Sequence, residues 1–158
     1  MAGRPLTRAA LTLLFCTGLW LQCSSARAFS LGGHAGLNLD HGDVHIGFDM
    51  LFPVVPLGPT VTWALWPSAA HVFVHDGRDV ELLGFDMPFL FKIDQAPIIP
   101  FVGPGFGLAF YGDVSLKFNI VGGVMIDTRS RVKPFGEVAL RFVDGTFVDL
   151  LFGVLVDL

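Results

Sequence analysis

Val114-Ser115-Leu116-Lys117-Phe118-Asn119-Ile120 alternates large apolar residues with polar ones at a strict period of two. That period belongs to a β-strand, whose successive side chains point to opposite faces of the sheet. The same alternation runs through Val44-His45-Ile46-Gly47-Phe48-Asp49-Met50 and recurs in 35–40, 106–110 and 136–142. Each such strand has one greasy face and one face that is polar or small. A soluble barrel points the greasy face inward, and a transmembrane barrel points it outward.

Composition and glycine placement favour the second arrangement. The chain of 158 residues is 53% hydrophobic and 15% charged, which leaves few charges to wet a soluble exterior. Opposite the greasy face of the strand ending at Phe110 stand Gly103, Gly105, Gly107 and Ala109. Such a face suits a narrow interior where long side chains from across the barrel need room. Segment 50–75 carries no Asp, Glu, Lys or Arg, but Pro53, Pro56, Pro59 and Pro67 deny it a helical ladder. Segment 95–112 is likewise uncharged and broken by Pro97, Pro100 and Pro104, so membrane helices are excluded.

Residues 1–28 read as a cleaved secretory signal: Arg4 and Arg8, an apolar run over 9–21, and Ala26-Arg27-Ala28 as the cleavage site. The run is too short to span a bilayer. Residues 29–158 then form one domain. Losing Arg4, Arg8 and Arg27 but no acid takes the formal charge from −4 to −7, a poor match to nucleic acid. Both cysteines, Cys16 and Cys23, lie in the signal, so the remainder has neither disulfide nor thiolate metal site.

Turn signals divide the domain into nine segments: 33–40, 44–52, 60–66, 70–75, 80–91, 98–110, 114–126, 132–142 and 147–157. Taking 60–75 as one strand bent at Pro67 gives eight, with ten the alternative. Paired residues must share a face, which tests each hairpin. A two-residue His41-Gly42 loop pairs Leu39 with Val44, Leu37 with Ile46 and His34 with Asp49. A three-residue loop at Gly112 pairs Phe110 with Val114, Leu108 with Leu116 and Phe106 with Phe118. The loop at Asp144-Gly145 puts Leu140 and Phe142 on the face of Val148, Leu150 and Phe152, and sets Arg141 opposite or diagonal to Asp149. The fold expected is an all-β, antiparallel up-and-down transmembrane β-barrel.

The run Pro100-Phe101-Val102-Gly103-Pro104-Gly105-Phe106-Gly107-Leu108-Ala109-Phe110 and the ending Gly153-Val154-Leu155-Val156-Asp157-Leu158, behind an export signal, resemble the small eight-stranded outer-membrane β-barrels of Gram-negative bacteria, the adhesin and opacity-like group. The resemblance implies a place in the cell outer membrane, contact with outer-membrane lipid, and a C-terminal signal at Gly153, Val156 and Leu158 read by the barrel assembly machinery. It also implies interface aromatics, for which Trp63 and Trp66 with phenylalanines are available. A periplasmic C-terminus makes the His41-Gly42, Asp76, Gly112 and Asp144 turns the exterior loops.

His34, Asn38, His45, Asp49, Lys117, Glu137, Arg141 and Asp149 fall on the lumen face and are expected to neutralise one another there. His71 and His75 are placed on that face too. Two residues four apart on a strand are about 13 Å apart and cannot share one metal, so no metal or cofactor is expected. An outer-membrane lipid-modifying enzyme would need an activated serine. Ser30, Ser68, Ser115 and Ser130 are available, none with a histidine two residues away, and His34 with Asp49 lacks a nucleophile. The reading is therefore a monomeric, non-enzymatic barrel with a plugged polar lumen and a structural, membrane-organising or ligand role. The rival from another class is a soluble periplasmic lipocalin-like barrel that binds an apolar ligand.

Overall fold

The computed structural model describes residues 29–75, 79–110, 113–142 and 145–158. The signal segment 1–28 lies outside the described residues. Among the described residues nine strands follow one another: β1 Ser30–Asn38, β2 Val44–Pro56, β3 Val61–Phe73, β4 Val80–Asp86, β5 Phe89–Phe91, β6 Ile98–Phe110, β7 Val114–Ile126, β8 Val132–Phe142 and β9 Thr146–Asp157. Each is antiparallel to its neighbours, and β1 pairs with β9, so the sheet closes on itself. β4 and β5 both lie between β3 and β6 and share one of the eight positions around the barrel. Closure leaves no sheet edge and satisfies the backbone without water, as a wall in lipid requires.

The side chains are arranged inside out relative to a soluble protein. On β7, Lys117, Asn119, Val121 and Met125 are buried while Val114, Leu116, Phe118, Ile120, Val124 and Ile126 are exposed. On β6 the outward series is Ile98, Pro100, Val102, Pro104, Phe106, Leu108 and Phe110, apolar along the whole strand. Thirteen residues at about 3.3 Å, tilted by about 40°, give a band roughly 30 Å tall, the thickness of a hydrocarbon core.

The β6–β7 hairpin has the expected register, with Phe110↔Val114, Leu108↔Leu116 and Lys117 opposite Gly107. In the last hairpin Leu140 opposes Val148 and Ala139 opposes Asp149, which makes Arg141 and Asp149 diagonal neighbours. The first hairpin keeps its faces but slips by two residues, with Leu37↔Val44 and Ala35↔Ile46. The cause is Asn38, whose Oδ1 accepts from the backbone N–H of Asp40 (3.1 Å) and His41 (2.9 Å) and draws 39–43 into the turn. Gly42 takes the positive φ of 75°.

Pro67 does not bend its strand, because β3 runs continuously from Val61 to Phe73. Beside it the β2 register is unchanged from Asp49↔Ser68 to Phe52↔Leu65, and it shifts only at the bulge between Pro53 and Val55. The interruption falls instead at Met87-Pro88, in the segment expected to be unbroken. The Met87 N–H donates to the Pro104 carbonyl (2.9 Å) and the Pro88 carbonyl accepts from Ala64 (3.0 Å), so the wall stays closed across the break.

A continuous β3 also corrects three placements. Ala64 and Trp66 are buried inside, so even positions of β3 face the lumen and His71 faces outward. There Nδ1 of His71 is 2.7 Å from Glu81 Oε1 and Nε2 is 3.5 Å from Asp79 Oδ2. His75 is exposed in the following turn, its N–H donating to Asp43 Oδ1 (3.2 Å). Trp66, expected in an interface girdle, is 2% exposed inside the barrel, whereas Trp63 is on the outer face.

Candidate functional site in the barrel lumen

The inward faces of the strands build three layers. Nearest the chain termini, Ser30 Oγ donates to Asp157 Oδ1 (2.6 Å) and Lys133 Nζ is 2.5 Å from Asp157 Oδ2. Next come Leu51, Ala64, Trp66, Phe101, Met125, Phe135 and Leu155, a contiguous apolar cluster. The Trp66 ring centroid is 5.2 Å from that of Phe101 and 4.9 Å from that of Phe135. From mid-barrel to the loop end the lumen is polar.

In that polar layer, His34 Nδ1 lies 2.6 Å from Asp49 Oδ2, and the Trp66 indole N–H donates to Asp49 Oδ1 (3.1 Å). Asn38 Nδ2 donates to Asp149 Oδ1 (2.8 Å), and Arg141 makes an ion pair with the same carboxylate. Asn119 Nδ2 donates to Asp86. His45 sits edge-on to His34, with ring centroids 5.7 Å apart. The rings fit because the facing positions are glycines: a Cβ at Gly47 would stand 2.5 Å from His34, and one at Gly36 would collide with His45.

All eight candidates read from the sequence, His34, Asn38, His45, Asp49, Lys117, Glu137, Arg141 and Asp149, lie on inward faces, and they form one contiguous region with Asp86, Asn119 and Trp66. Those last three were missed, as was the Lys133–Asp157–Ser30 group. Asn119 shares the parity of Lys117, which was signal enough, and Asp86 shares that of Gly84. Trp66 carried no such mark. At the C-terminus, Gly153 opposes both His34 and Phe135, and Val156 opposes Leu31 and Val132. The Leu158 N–H donates to the Phe29 carbonyl (3.0 Å).

A cavity of about 20 Å³ remains, lined by His34, Asp49, Trp66, Ser68, Asp86, Lys117, Asn119, Phe135, Glu137 and Arg141 among others. It has room for about one or two waters. Ser68 opposes Asp49 in the β2–β3 register and lines the cavity with His34, yet His34 Nε2 has no hydrogen-bond partner. Ser30 is bonded to Asp157, Ser115 faces Ala109, and Ser130 lies in the turn after β7. Among the described residues no group of three His, Cys, Asp or Glu can hold a metal.

The architecture has solved counterparts. The outer-membrane enzyme PagL superimposes with a TM-score of 0.61 at 10% identity, over 82% of this chain and 99% of that one. The N-terminal β-barrel domain of Pseudomonas aeruginosa OprF gives 0.60 at 13% identity, covering 83% and 97%. A de novo designed transmembrane β-barrel gives 0.57 at 11% identity, covering 83% and 95%. The fold is that of the small transmembrane β-barrels. No protein-family model matches the sequence, and no curated protein does. A barrel of eight strands is just wide enough for its side chains to fill or for one small ligand.

Proposed function

We propose that this protein is a monomeric, non-enzymatic barrel of the cell outer membrane whose lumen is plugged and whose role is structural or membrane-organising. The observation that carries this reading is the inversion of its faces: an unbroken apolar exterior along β6 and β7 around charged, buried side chains. Outer-membrane lipid covers that exterior. With no sheet edge to pair, the barrel needs no second copy. The assembly machinery reads the terminal strand at Gly153, Val156 and Leu158, and the termini face the periplasm.

Two features support the absence of catalysis in the lumen. Among the described residues, Ser68 is the serine that shares the cavity with the His34–Asp49 pair, and it is not hydrogen-bonded to His34 Nε2; about 20 Å³ admits water but no lipid acyl chain. The acidic domain offers nucleic acid no basic surface.

Fractionation tests the location. The protein is expected in the outer-membrane fraction, extractable only with detergent and shifting in gel mobility on boiling. Recovery in the soluble periplasm would support the lipocalin-like rival instead. Lipid hydrolysis by the purified barrel, abolished by Ser68→Ala, would overturn the non-enzymatic reading.

A further inference from the structure

The polar and apolar layers of the lumen treat an ion in opposite ways. The polar layer holds four carboxylates, Asp49, Asp86, Glu137 and Asp149, against the basic side chains of Lys117 and Arg141, with the imidazoles of His34 and His45 beside them. Its cavity leaves Lys117 Nζ, His34 Nε2 and Asn119 Oδ1 without protein partners, and such buried groups are satisfied by water. A cation entering this layer exchanges hydration for carboxylate oxygens and a negative field. The apolar layer offers nothing in return for hydration, because Trp66, Phe101, Met125, Phe135 and Leu155 present no polar group to it beyond the Trp66 indole N–H, already given to Asp49.

We infer that the apolar layer, and not the charged network, closes this barrel, and that the charged layer is a latent pathway selective for small monovalent cations. Trp66 is the joint between the two. Its N–H is held by Asp49 above, its ring packs on Phe101 and Phe135 beside it, and with Phe135 it forms the floor of the cavity. Removing these rings connects the cavity to the terminal end of the lumen. Anions are excluded by the sign of the layer they must pass.

This rests on the reading of a plugged barrel in a membrane, and the experiment separates the two. The full barrel is reconstituted in planar bilayers across a potassium chloride gradient. Wild type is expected to stay silent, and steady conduction by wild type would contradict the plugged reading itself. The variant Trp66→Ala/Phe101→Ala/Phe135→Ala is expected to conduct, with a reversal potential displaced toward that of potassium. A folded variant that is silent, or selective for chloride, overturns the inference. Arg141→Leu/Asp149→Leu decides the matter independently of that variant's folding: it is expected to remain closed, and its opening would make the charged network the barrier.

Discussion

Arg141 and Asp149 meet diagonally across the last hairpin, on the face of β8 and β9 that points into the barrel. Their side chains are only 16% and 6% exposed. Asn38, from β1, donates to the same carboxylate at 2.8 Å, so the pair ties three consecutive strands across the closure of the barrel.

Breaking this pair leaves a buried charge without its nearest partner, whereas removing both charges leaves an apolar filling. We expect Arg141→Leu and Asp149→Leu each to destabilise by about 3–5 kcal/mol and the double variant by much less. Urea unfolding in lipid vesicles measures the coupling as a double-mutant cycle. Single variants that unfold at the wild-type midpoint would place both residues in solvent, where such a pair is worth about 0–1 kcal/mol.

The inward turn of these two residues was readable from parity alone, because a period of two fixes which side chains share a face once a single turn is placed. The β6–β7 register followed for the same reason, with Phe110 opposite Val114 as a three-residue loop requires. The first hairpin slipped because the Asn38 side chain satisfies two backbone donors, a contact that alternation does not encode. Pro67 was read as a bend and Met87-Pro88 as continuous, although the β2–β3 register runs unchanged past Pro67 and the break falls at Met87-Pro88. The charged members of the lumen stood out as polar residues in apolar strands. Trp66 did not, because on a transmembrane barrel an indole belongs as well in the lipid interface as in the lumen, and only closure shows which.

Gly103 closes the wall at the interrupted strand. A Cβ there would stand 2.5 Å from the Met87 carbonyl oxygen and 2.5 Å from the Pro88 Cα, both backbone atoms that cannot step aside. Gly103→Ala is expected to cost at least the roughly 1–3 kcal/mol of an overpacked core. Gly122→Ala, whose nearest neighbour would be the Phe101 carbonyl at 3.8 Å, serves as the comparison and should be tolerated. Equal unfolding midpoints for the two variants would contradict the packing at Met87-Pro88.

The terminal strand completes the barrel through its pairing with β1 and β8 and brings Asp157 to Ser30 and Lys133. Deleting 156–158 removes those contacts together with two of the three residues proposed as the assembly signal. We expect the truncated protein to fail to reach the heat-modifiable form in cells. Normal assembly of the truncated chain would remove the C-terminal residues from the account of its biogenesis.

The most direct test of the central claim is which face of β7 touches lipid. Residues 29–158 contain no cysteine, so single cysteines introduced at positions 116 to 120 can each carry a spin label in barrels reconstituted in vesicles. Collision with oxygen, which concentrates in the hydrocarbon, is expected to be high for labels replacing Leu116, Phe118 and Ile120 and low for those replacing Lys117 and Asn119, giving a period of two. Strong collision of the first three with a water-soluble nickel reagent, and none with lipid-dissolved oxygen, would show an aqueous exterior and contradict the inside-out barrel.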